Sequence, residues 1–142
     1  MTTHTLLLLH AAATLFMAGV IWFVQVVHYP LFRAVGPDCF ARYHADHTRL
    51  TTRVVVAPML VELVTALTLL VTPPGDASPA VLWVNAALAV LVWVATFAVA
   101  VPLHSRLARR YDDADATRLV ATNWLRTALW SARGVLALSL LW

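Results

Sequence analysis

Residues 79–103 read PAVLWVNAALAVLVWVATFAVAVPL, and no side chain among them is charged. Roughly 20 apolar residues in a helix cross the ~30 Å hydrocarbon core of a bilayer. This stretch therefore predicts a transmembrane helix. Three further segments read the same way: about Thr5–Val27, Arg53–Val71 and Leu119–Trp142. Backbone groups in lipid must be satisfied within their own segment, so spans of this kind are helices and not open strands.

The composition agrees. The 142 residues are 61% hydrophobic and 12% charged, against about 25% charged in soluble domains. The apolar excess reads as surface for lipid. The first apolar run follows no arginine or lysine and outlasts the roughly 7–15 residues of a signal-peptide core, so it is expected to be a retained helix. All ten basic residues are arginine, and the formal net charge is +3. The single cysteine, Cys39, leaves no intramolecular disulfide and no all-cysteine metal site.

Thr72-Pro73-Pro74-Gly75-Asp76 marks a turn, and Tyr111-Asp112-Asp113-Ala114-Asp115 a polar link. Asp115 or Thr117 is the expected cap of the fourth helix. Between the first two spans, Pro30 and Gly36-Pro37 interrupt the chain, and Asp38–Thr52 reads as a short interfacial helix running into the second span. The expected architecture is all-α: one membrane domain over residues 1–142, an up-down four-helix bundle. Arg33, Arg42, Arg49 and Arg53 flank the first connection; Arg106, Arg109, Arg110 and Arg118 flank the third. The positive-inside rule then puts both connections in the cytoplasm and both termini outside, in a multi-pass protein of the bacterial inner membrane. The arginines meet anionic lipid headgroups, and no nucleic-acid partner is expected.

Each span also carries polar residues at helical spacing. They are His10, Thr14, Gln25 and His28 in the first, Pro58, Glu62 and Thr65 in the second, and Asn85, Thr96 and His104 in the third. Asn123, Arg126, Trp130 and Arg133 form the tightest stripe, in the fourth. Residues three and four apart share a helix face, and such faces are costly against lipid, so they should point inward. Glu62 lies nine residues inside Arg53, roughly 14 Å at ~1.5 Å per residue. Arg133 lies ten residues beyond Asn123, roughly 15 Å by the same rise. At matched depth the two are expected to pair, because either charge alone in the membrane is expensive. The pair either fixes helix register or binds a substrate group or proton; both readings stand. Glu62, Arg126 and Arg133 are the candidate catalytic residues.

His28, His44, His47 and His104 should meet at one membrane face. They form the candidate metal set, since neutral imidazole is a common ligand of zinc, iron and copper. Asp46 or Glu62 would add a carboxylate, although Asp46 projects away from its neighbours. Haem held by His28 and His104, with Arg106 or Arg126 at its propionates, is a second cofactor reading. A di-iron site is disfavoured, since the interior holds only Glu62. Gln25, Tyr29, Tyr43, Asn123 and Trp130 are candidate cofactor- or ligand-contacting residues. The bland reading of the histidines is interfacial anchoring. His10 stands apart and is expected to hydrogen-bond between helices. Pro58 and Pro102 are expected to bend their helices.

The segments Trp22–Phe32, Tyr43–Arg49 and Asn123–Thr127 resemble those of a group of small, largely uncharacterised bacterial four-helix membrane proteins. A looser likeness, carried by His10 early in the first span, is to anthrone-oxygenase-like membrane proteins and bacterial haem-binding protoporphyrinogen oxidase. That likeness implies redox chemistry. Three functions follow as expectations. One is a metal- or haem-dependent membrane oxidoreductase acting on a lipophilic substrate. Another is a non-catalytic subunit or lipid-binding module of a larger complex or homo-oligomer, its polar stripes serving as interhelical glue. The third is a small transporter or proton pathway through Glu62, Arg133, Asn85 and Gln25, although no inverted repeat is found.

Overall fold

A computed structural model describes residues 2–75 and 77–142. All secondary structure among the described residues is helical. Four helices follow one another: α1 (Thr3–Ala34), α2 (Pro37–Val71), α3 (Pro79–Leu107) and α4 (Asp113–Ser139). The first three are long and apolar enough to cross a membrane. The fourth carries Asp113, Asp115, Arg118, Arg126 and Arg133, so its composition alone does not mark it as a span.

The helices form a ring in which α1 packs on α2 and α4, and α3 packs on the same two. Cross-helix pairs fix the directions. His10 meets Thr65 and His28 meets His47, so α1 and α2 run antiparallel. His10 meets Asn85 and Tyr29 meets His104, so α1 and α3 run parallel. This is up-down-up-down. The distribution of polarity is inverted relative to a water-soluble bundle. Leu8, Phe16, Phe23, Val64, Trp83, Val94, Phe97 and Val135 face outward. His10, Thr14, Gln25, Glu62, Asn85, Asn123 and Arg133 are buried. Lipid tails are as apolar as leucine, so inward polar groups and close packing hold such helices together.

Local chemistry explains the ends and breaks. Asp112, in extended conformation, accepts from the Asp115 N–H at 2.9 Å and starts α4 at Asp113. The cap is thus neither Asp115 nor Thr117, and the helix begins six residues before the apolar run does. Asp113 and Asp115 in its first turn suit the positive end of the helix dipole. Asp112→Ala should cost about 1 kcal/mol of stability, read as a lower unfolding midpoint in detergent. The Tyr111 hydroxyl donates to Asp113 at 2.5 Å, a bond that holds its pKa above the ordinary tyrosine range, and its ring packs on Phe40 at 4.7 Å. The third connection is tied in this way to the start of α2.

Residues 38–52 do not form a separate short helix. They are the first half of α2, whose 35 residues run through Pro58. At ~1.5 Å per residue that helix is about 52 Å long, well beyond the ~30 Å hydrocarbon core. Pro73, Pro74 and Gly75 lie in the second connection, whose Asp76 falls outside the described residues.

Two helices widen for a single π turn, Val24–His28 in α1 and Thr96–Ala100 in α3. In the first, the Tyr29 N–H bonds to the Val24 carbonyl, five residues back, at 2.9 Å. Each π turn ends two residues before a proline, Pro30 or Pro102. Proline offers no N–H and its ring crowds the carbonyl four residues earlier. Widening the preceding turn relieves that crowding. Single π turns of this kind recur at functional sites.

Candidate functional site

The two π turns present His28, Tyr29 and His104 toward the first half of α2, where His44 and His47 share a face. The four imidazoles meet there in two hydrogen-bonded pairs. His28 Nε2 lies 2.7 Å from His47 Nδ1, and His44 Nε2 lies 3.0 Å from His104 Nδ1. The pairs are adjacent, with the His47 ring 5.5 Å from that of His104 and 6.0 Å from that of His44. Tyr29 bonds through its hydroxyl to His104 Nε2 at 2.9 Å, and Thr51 through its hydroxyl to His47 Nδ1 at 3.1 Å. Among the described residues, no group of three or more histidine, cysteine, aspartate or glutamate side chains is placed so that it could hold a metal ion.

Aromatic packing holds the rings. Phe32, fully buried, meets His28, His44 and His47 at centroid distances of 5.4, 5.8 and 5.1 Å. Phe40 stacks on His44 at 5.5 Å. Phe32, Phe40 and Thr51 escaped the sequence reading. Each stands four residues from a histidine, which places it on the same helix face, and that spacing was the available signal.

A recess of 630 Å³ opens beside the quartet between α2 and α3. Tyr29, His44, His47, His104, Ser105 and Arg126 line it. Two buried nitrogens on its wall have no partner, His44 Nδ1 and Arg126 Nε. Arg126 otherwise donates to Asn123 Oδ1 at 3.1 Å and lies over the Trp130 ring at 5.3 Å. Asn123 in turn donates to Gln25 Oε1 at 2.9 Å, and Gln25 donates to the Val120 carbonyl. Gln25, Asn123 and Trp130 therefore support Arg126 from behind, and Tyr29 reaches the histidines directly. Tyr43 contributes ring packing at 6.3 Å from His28 and 5.9 Å from Phe32.

Glu62 and Arg133 pair within the bundle, Arg133 Nη1 standing 2.6 Å from Glu62 Oε2, both residues fully buried. The approach lies off the N–H direction, so the contact is an ion pair and not an aligned hydrogen bond, and the guanidinium nitrogens find no other partner. Trp130 Nε1 donates to both Glu62 oxygens at 2.9 and 3.1 Å. Trp130 thus links the buried pair to Arg126 at the recess.

His10 belongs to a separate network. The Asn85 amide donates to His10 Nε2 at 2.9 Å, and His10 Nδ1 bonds to Thr65 Oγ1 at 2.9 Å. Because Thr65 spends its own proton on the Val61 carbonyl at 2.7 Å, the His10 proton sits on Nδ1. Asp46 faces away, paired with Arg49 at 2.8 Å on an exposed surface, and supplies no carboxylate to the histidines. Cys39 is exposed.

The haem reading fits poorly. The His47 ring lies against those of both His28 and His104, at 4.5 and 5.5 Å, and fills the place a macrocycle would need between them. Searches against family models, curated proteins and solved structures return no match for this chain.

Proposed function

We propose that the protein is a multi-pass membrane enzyme of the oxidoreductase class, in which a transition-metal ion held by His28, His44, His47 and His104 acts on a lipophilic substrate. One observation carries this reading: four imidazoles from three helices meet in two adjacent hydrogen-bonded pairs, and three of them, His44, His47 and His104, lie on the wall of a 630 Å³ recess that also presents Arg126. Isolated anchoring histidines have no reason to meet. Nitrogen-rich sites suit copper, zinc or iron, and copper or iron would supply electron transfer.

The chain's own residues have distinct tasks. The four imidazoles would hold the ion, giving up their mutual hydrogen bonds to do so. With an ion bound, Tyr29 would accept a hydrogen bond from the His104 Nε2–H, favouring the tautomer that leaves Nδ1 free to ligate, as partners of metal-bound histidines do. Arg126 would hold an anionic or carbonyl oxygen that enters the 630 Å³ recess. Glu62 and Arg133, sealed from the recess, set the position of Trp130 and through it Arg126; they are positioning residues. The orientation expected from the arginines places the quartet at the cytoplasmic face of a bacterial inner membrane. The fourth helix crosses with the others, with Arg126 and Arg133 turned inward and Arg118 exposed near its start.

Metal analysis and optical and electron-spin spectra of protein purified in mild detergent test this. About one transition-metal ion per chain is expected. A stoichiometric absence of metal, in cells supplied with copper, iron and zinc, would overturn the reading. Tyr29→Phe keeps the ring and removes the hydroxyl, and should weaken metal affinity about 10–100-fold while leaving the fold intact. Competition with a chelator of known affinity measures that loss. The alternative, a non-catalytic subunit or lipid-binding module, draws on the same buried polar contacts as interhelical glue. It would gain if the protein always co-purified with fixed partners and without metal.

A further inference from the structure

A second recess of 620 Å³ lies on the other side of α2, between α1 and α2. Its walls are Phe16, Gly19, Phe23, Leu50 and Val54, almost wholly apolar, and it ends on His28 and Thr51. Thr51 and Val55 border this recess and the polar one alike. The His28–His47 pair stands between the two, with His28 facing the apolar side and His47 the polar side.

Three features bear on what would fill it. The walls belong to the outward, lipid-facing surface: Phe16, Phe23, Leu50 and Val54 are all exposed. An occupant therefore arrives from within the bilayer. The recess also has a polarity gradient. Its apolar end lies toward the middle of α1, and its polar end lies at the histidine face. An amphiphile in one leaflet has the same gradient, head at the interface and chain toward the midplane. Finally, the recess is closed at its polar end by an imidazole and a hydroxyl, to which a bulk acyl chain has nothing to offer but an oxygen-bearing head does.

Building on the metal-enzyme reading, we propose that the substrate is a single-chain amphiphile, an alkyl or isoprenoid chain ending in an oxygen-bearing head. It slides laterally from the bilayer into the α1–α2 recess. The chain lies along Phe16, Gly19 and Val54, and the head reaches His28 and Thr51 at the edge of the quartet. The reacting end thus meets the histidines from the lipid side, while the recess holding Arg126 serves the other side of the same wall. Gly19 is part of the design. A Cβ placed there meets nothing within 4 Å, so the floor is open at this point.

That openness supplies the test. Full-length protein is reconstituted in phosphatidylcholine nanodiscs with a hexadecanol probe bearing a diazirine in its chain. Light-induced labelling is then mapped by mass spectrometry. Labelling along Phe16–Phe23 and Leu50–Val54 should saturate with probe and be displaced by unlabelled hexadecanol. Gly19→Phe should lower it by about tenfold, while labelling on the lipid face of α3 at Val90 and Val94 stays constant. Should that variant fail to fold by circular dichroism, Val54→Trp closes the recess from the opposite wall. Labelling that rises linearly without saturation, or that survives a folded blocking variant, would overturn the proposal. The same measurement on chelator-treated protein and on His44→Ala separates the two readings. Saturable labelling without metal supports the amphiphile site even where the metal reading fails; metal bound without saturable labelling removes the amphiphile site alone.

Discussion

On the proposed metal-enzyme reading, replacing His44 and His104 together by alanine is expected to abolish metal binding by the purified protein while leaving its helices assembled. The two side chains form one of the imidazole pairs, 3.0 Å apart, and come from different helices. Their loss halves the donor set. Two remaining nitrogens cannot hold an ion tightly against water, since structural and catalytic sites of this kind use three or four protein ligands. The informative comparison is His10→Ala. His10 is buried too and is hydrogen-bonded at both ring nitrogens, but to Asn85 and Thr65 in the other network. It should destabilise the bundle and leave the metal content unchanged. Metal content measured on monodisperse protein decides the matter. Unchanged metal in the His44→Ala/His104→Ala variant would remove the quartet as the site.

The largest effect on stability belongs to Arg133. Arg133→Met leaves the Glu62 carboxylate fully buried, with only the Trp130 N–H beside it. Removing one member of a buried ion pair costs about 3–5 kcal/mol, because the remaining charge has no compensation. The double variant Glu62→Gln/Arg133→Met should recover most of that loss, since a neutral amide still accepts from Trp130 and no charge is stranded. Reversible unfolding in mixed micelles measures both. A single variant costing under about 1 kcal/mol would mean that the pair does not hold the bundle. Should the double variant fold well yet lose activity, the pair's role in aiming Trp130 and Arg126 would be separated from its role in folding.

Much of this arrangement was legible in the chain. A charge-free run such as residues 79–103 leaves a helix little choice. The gathering of His28, His44, His47 and His104 at one face followed from where each lies relative to the span ends. The Glu62–Arg133 pair followed from depth counted along two helices. Other features depend on contacts between residues distant in sequence. The start of α4 at Asp113 was hidden because its first turns are polar, and hydropathy sees only the apolar part. Asp38–Thr52 was legible as a helix running into the second span; that the two make one uninterrupted helix of 35 residues across Pro58 was not. Tyr43 and Tyr29 look alike as neighbours of histidines, yet only Tyr29 stands on the widened turn that aims it at His104. The partition of the imidazoles into pairs needs side-chain directions that spacing does not supply.

The widened turns give these two helices an unusual kind of tolerance. A π turn is an α-helix carrying one surplus residue, and the widening absorbs it, so the helix beyond keeps its phase with the helix before. Deleting a single residue within Val24–His28, or within Thr96–Ala100, would let the turn close to an ordinary α turn and leave the flanking segments where they are. Tyr29 or His104 would keep its place opposite α2. The same deletion in a regular stretch would rotate everything beyond it by about 100°. Insertions and deletions are usually tolerated at loops and punished in helices by the loss of packing. Here two turns inside long apolar helices each carry a residue that the helix can give up.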